Sequence, residues 1–119
     1  MSEQTETKEF YFQEGCYISE LYNTAHDPAC SVAQARVLPG TTTKWHSLDG
    51  ITERYLILEG QGAVEIGEMS PQSVKKGDTS IIPAGTRQRI RNTGKEDLLF
   101  LAVCTPRFTE DKYKDLEQL

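Results

Sequence analysis

GTTTKWHSLDGITERYLILEG, residues 40–60, is the stretch whose reading decides the fold. Thr42–His46 is rich in β-branched side chains and reads as an extended segment. Thr52–Leu58 mixes threonine, tyrosine, leucine and isoleucine in strand proportions and ends at Glu59-Gly60-Gln61-Gly62, a glycine-rich hairpin. Side chains two apart on a strand share a face. Positions 46 and 48 therefore point the same way, as do Glu53, Tyr55 and Ile57.

The same grammar continues on both sides. Phe10–Phe12, Cys16–Tyr22 and Ser31–Leu38 precede the stretch as short strands, the last ending at Pro39-Gly40. Ala63–Ile66, Thr79–Ile82, Gln88–Arg91 and Leu98–Cys104 follow it, separated by Pro83-Ala84-Gly85 and Asn92-Thr93-Gly94. Many short strands at near-regular spacing predict an all-β barrel or sandwich, not a helical or βαβ fold. The one helical candidate is Thr109–Glu117, with Thr109 as N-cap and Glu110 and Asp111 at the positive end of the helix dipole. With 119 residues the chain fits a single domain. Residues 1–9, polar and acidic, read as a flexible arm, and residues 10–119 as the domain.

Two spacings narrow the fold. The first runs Gly40, five residues, His46, one residue, Leu48, four residues, Glu53, six residues, Gly60. The second runs Gly77, five residues, Pro83, one residue, Gly85, two residues, Gln88, three residues, Asn92. Together they resemble the two motifs of the cupin superfamily, G-x5-H-x-H-x3-4-E-x6-G and G-x5-P-x-G-x2-H-x3-N, across Gly40 to Asn92. The resemblance implies an antiparallel, jelly-roll-like cupin β-barrel whose interior gathers side chains from several strands.

The resemblance also implies a metal site, with His46, Glu53 and Gln88 as ligands and a divalent transition ion (zinc, nickel, iron or manganese) as cofactor. Two positions depart from the family pattern: Leu48 and Gln88 stand where histidines belong. Leucine cannot ligate, and glutamine offers only a neutral amide oxygen. The alternative for these groups is a metal-free polar cluster in which His46, Glu53 and Gln88 satisfy one another. Glu53 and Tyr55, on one face of their strand, are the candidate catalytic residues, and Tyr55 has barrel filling as its alternative role. Trp45 should face out of the barrel, Arg36 toward solvent, and His26 lies in a surface loop.

Composition excludes several function classes. The formal net charge of −5 argues against nucleic acid, which needs a basic face. Arg87, Arg89 and Arg91 alternate along one strand and read as a solvated or interface stripe. No apolar run approaches the ~20 residues of a membrane span, and Met1–Glu9 lacks the features of a signal peptide, so the expected location is the cytoplasm. Cys16, Cys30 and Cys104, odd in number and without CxxC spacing, read as free thiols. Leu98–Val103 is apolar on both faces, and with outward Trp45 predicts a homodimer. Two function classes remain open. One is a metal-dependent oxygenase, isomerase or lyase acting on a small polar or anionic metabolite. The other is a binding module that holds a small molecule without metal or chemistry.

Overall fold

The computed structural model describes residues 8–117. Most of the expected N-terminal arm, residues 1–7, lies outside the described residues. Eleven strands follow in order: β1 Phe10–Phe12, β2 Cys16–Tyr22, β3 Ser31–Val37, β4 His46–Leu48, β5 Thr52–Glu59, β6 Gln61–Ile66, β7 Gln72–Lys75, β8 Thr79–Ile82, β9 Gln88–Asn92, β10 Leu98–Thr105 and β11 Tyr113–Asp115. They form a six-stranded sheet, β1-β2-β3-β10-β5-β8, and a five-stranded sheet, β11-β4-β9-β6-β7. Every pairing between these strands is antiparallel.

The alternation anticipated for β5 is realised, and β10 shows the same pattern. Glu53, Tyr55 and Ile57 are buried between partly exposed Thr52, Arg54, Leu56 and Leu58. Leu98, Phe100, Ala102 and Cys104 likewise point inward from β10. Leu98, Phe100 and Ala102 meet Val64, Ile66 and Ile90 from the other sheet in the main core, while Cys104 packs with Leu48 and Ile51. A fully buried aliphatic or aromatic side chain of this kind contributes about 1.5–3 kcal/mol by leaving water.

The glycine at the end of the opening stretch is required. Gly60 has φ +91°, and a Cβ there would lie 2.7 Å from the Asp97 carbonyl oxygen. Asn92 of the second motif is structural as well. Its amide nitrogen donates to Val37 O at 2.9 Å and Glu96 O at 2.8 Å, and its Oδ1 accepts from Gly94 N at 2.8 Å. One side chain thereby pins the β9–β10 hairpin to β3.

Three expectations are corrected. Thr42–His46 is not a continuous strand: Thr42 makes an isolated bridge to Arg91, and regular pairing begins only at His46. The chain is held between elements there, with Thr43 N donating to Ile90 O and Lys44 N to Glu14 O. β7 was not anticipated, because Gln72–Lys75 has a single buried apolar side chain, Val74. Most consequentially, Thr109–Glu117 is no helix. Glu110–Lys112 makes one 3-10 turn, Thr109 offers it no side-chain cap, and Tyr113–Asp115 continues as β11. A segment this short is a marginal helix by itself. Paired with β4, it instead satisfies backbone groups that an open sheet edge would leave bare.

Outward residues fall largely where alternation puts them. Trp45 carries the guanidinium groups of Arg87 and Arg89 over its ring, at 4.3 and 4.4 Å. Arg89 also pairs with Glu65 at 2.8 Å, so part of the basic stripe is already neutralised. Arg36 faces outward but is not merely solvated. It binds Glu9 at 2.7 Å and Asp97 at 3.2 Å and lies over Tyr17, which docks residue 9 of the expected arm against the sheet. All three cysteines are free. No helix among the described residues is long and apolar enough to cross a membrane.

Candidate functional site

His46 opens β4 and lies directly across the ladder from Gln88 at the start of β9. Glu53 sits on β5 between Cys104 of β10 and Ile82 of β8, in the opposite sheet. Inward alternation from the two sheets thus brings His46, Glu53, Tyr55 and Gln88 into the barrel, all four buried. His26, as expected, is an exposed loop residue.

Hydrogen bonds fix the role of each group. His46 Nδ1 lies 2.7 Å from Lys44 O. A carbonyl can only accept, so Nδ1 carries the hydrogen, and in the neutral ring Nε2 keeps its lone pair. The imidazole stacks on Tyr113, with centroids 5.2 Å apart and planes 17° from parallel. The Tyr55 hydroxyl donates to Gln88 Oε1. With its oxygen engaged there, Gln88 turns its NH2 group to Glu53, where a hydrogen bond from Gln88 favours the carboxylate.

Glu53 is the electrostatically unusual member. Its Oε1 is buried without a hydrogen-bond partner. Burial, reinforced by the Glu14 charge, pushes its carboxyl up to about 7, against the opposing pull of His46 and Gln88. Burial and the same carboxylates also push up the Tyr55 hydroxyl and the Cys16 and Cys104 thiols, which leaves those thiols inert as nucleophiles.

Two site residues escape sequence reasoning. Glu14, in the turn between β1 and β2, places Oε1 3.5 Å from His46 Nε2 and accepts from Cys16 Sγ at 3.2 Å with Oε2. Tyr113 reaches the site from β11, the segment expected as helix. No motif spacing marks either one. These groups surround a cavity of about 80 Å³ lined by Glu14, Glu20, His46, Leu48, Glu53, Tyr55 and Tyr113, with Phe10, Phe12, Phe100 and Phe108 among its aromatic walls. It has room for several waters or a small polar molecule. A wider vestibule of about 680 Å³ shares Phe10, Phe12, Glu20 and Phe108 with it and includes Arg107, whose Nε is tied to Asn23.

The strand order and the convergence of His46, Glu53 and position 88 agree with a match to the cupin domain family over residues 33–104. The chain belongs to the cupin family. It is 32% identical to the uncharacterised protein MJ1618 of Methanocaldococcus jannaschii over 98% of this chain and 94% of that one. It is 37% identical to an oxalate-binding protein of Thermotoga maritima over 66% of this chain, spanning 64% of that protein's length. Its fold also resembles that of Streptomyces Pac13, a nucleoside dehydratase of which two variants are solved with uridine. The TM-score to one of them is 0.81 at 17% identity, covering 98% of this chain and 90% of Pac13.

In this cupin the donor chemistry departs from the metal set that the family resemblance implies. Leu48 lines the cavity with hydrocarbon, and the Gln88 oxygen is engaged by Tyr55. Of the three expected ligands, Glu53 keeps an unpartnered Oε1 and His46 Nε2 faces Glu14 Oε1 at 3.5 Å. Among the described residues no three His, Cys, Asp or Glu side chains gather into a metal-holding group. Glu14 adds a second carboxylate beside His46, but with no histidine at positions 48 or 88 the wall offers a single nitrogen donor, a poorer set for a transition ion than the family pattern implies.

Proposed function

We propose that this cupin holds a small polar molecule in its barrel and moves a proton on it, in an isomerisation or a lyase-type elimination. The observation that carries the reading is Glu53, with one unpartnered oxygen at the cavity wall and a carboxyl pushed up to about 7. An acid balanced near neutral pH takes and returns a proton at similar cost, which suits general acid–base work. In this reading Glu53 is the catalytic group. Gln88 orients it, and Tyr55 orients Gln88, so Tyr55 is a positioning residue. His46, its Nδ1 hydrogen committed to Lys44, accepts a hydrogen bond from the ligand at Nε2.

The dehydratase activity named for Pac13 supports proton-moving chemistry on this scaffold. The oxalate of the Thermotoga relative fits less well. Oxalate is a dianion, and the cavity wall presents carboxylates where an anion needs cations. The anionic half of the sequence-based expectation is therefore set aside. We also assign the homodimer contact to the outer face of the six-stranded sheet, where Leu56, Leu101, Val103 and exposed Ile81 surround Arg54.

The reaction can be tested before the substrate is known. Wild type and Glu53→Gln are incubated with a mixture of small neutral and amine metabolites in D2O, and products are read by mass spectrometry. Deuterium incorporation or loss of water that needs wild-type Glu53 is the expected result. A metabolite that binds both proteins while neither exchanges a proton would make the barrel a binding module instead.

A further inference from the structure

Among the described residues, two buried side-chain polar atoms lack a hydrogen-bond partner: Glu53 Oε1 and Tyr113 Oη. Both belong to walls of the one inner cavity. Buried polar atoms left bare cost about 1–3 kcal/mol each, so their coincidence marks a place where something else supplies partners, and the Glu53 oxygen in particular needs a donor. Glu14 adds a second carboxylate to that wall, its Oε2 accepting from Cys16 Sγ and its Oε1 lying 3.5 Å from His46 Nε2, and no lysine or arginine lines it. His46, the one lining side chain able to carry positive charge, has one ring nitrogen committed to Lys44 O.

The rest of the wall is aromatic. Phe12 meets Phe108 and Tyr113 edge to face at 6.4 and 5.1 Å, and Tyr113 stacks on His46. Where a ring face is open to the cavity, its negative π-charge attracts an organic cation once water is excluded.

We infer that the ligand of this barrel carries a small ammonium group, seated between Glu14 and Glu53 with Tyr113 as a further acceptor. An R–NH3+ or R2–NH2+ group brings several N–H donors and a positive charge into one small volume, matching the surplus of acceptors and aromatic faces. Substituents on the ammonium lie toward Phe12 and Phe108, where the inner cavity meets the vestibule. The inference rests on the barrel being the ligand site and adds the chemical class of the ligand.

The test uses three probes of similar shape and different charge: isobutylamine, isobutanol and isobutyrate, titrated at pH 7.5 by calorimetry and by thermal shift. The amine should bind and raise the melting temperature, the alcohol bind more weakly, and the carboxylate not bind. Glu14→Gln and Glu53→Gln, both isosteric, should each weaken the amine by about ten- to a hundredfold while leaving the alcohol within a fewfold, because only the charge-assisted bond is lost. Preferential binding of the alcohol or of isobutyrate would overturn the ammonium assignment and leave the barrel as a small-molecule site. Amine binding that is indifferent to both glutamine variants would overturn it as well, since it would lie elsewhere. Failure of all three probes would overturn it too, while the deuterium-exchange experiment independently decides whether Glu53 moves protons.

Discussion

Replacing Glu53 with glutamine should change the pH dependence of folding in a way that follows from burial. A carboxyl of ordinary value 4.5, held at about 7 in the folded barrel, is disfavoured in its charged form there. Between those two values the folded state keeps the proton that the unfolded chain has lost, so stability falls as pH rises from about 4.5 to about 7 and then levels. The difference between these values amounts to about 3 kcal/mol. Glutamine fills the same space and cannot ionise, so Glu53→Gln removes this term alone. The variant should match wild type most closely near pH 5 and exceed it by about 3 kcal/mol at pH 8, or roughly 10 °C in melting temperature for a domain of this size. Urea denaturation of both proteins at half-unit steps from pH 5 to 8.5 measures the difference directly. A difference that stays constant over that range would refute the raised acid and, with it, the assignment of Glu53 as the proton carrier.

Two further outcomes are expected. Leu48→His places a second imidazole on the wall that His46 already lines, and should bring nickel or zinc binding at least tenfold tighter than wild type in calorimetric titration; no gain would mean that position 48 is turned from His46 Nε2. Light scattering should find a dimer at micromolar concentration and Ile81→Arg should shift it toward monomer, since it would bury a second cation beside Arg54; a monomeric wild type would remove the assigned contact.

Much of this protein was legible in its sequence because the rules involved are local. Side-chain alternation put Glu53 and Tyr55 on one face of β5, and the turn at Gly60 follows from a backbone that tolerates no side chain there. Motif spacing was enough to assemble His46, Glu53 and Gln88. What those groups do when assembled was settled by tertiary structure. Gln88 is recognisable as an amide in sequence, but only the approach of the Tyr55 hydroxyl determines that its oxygen is engaged and its NH2 faces Glu53. Glu14 looks like any turn glutamate until the β1–β2 turn is tied to Lys44 and delivers it to His46. Tyr113 lies in a segment whose local composition favours a helix, and it enters the site because β11 pairs with the distant edge of β4, opposite Leu48. Glu53 shows the division most clearly. Its identity and direction are written in the chain, whereas its raised pKa comes from burial and the Glu14 charge, both products of contacts between residues far apart in sequence.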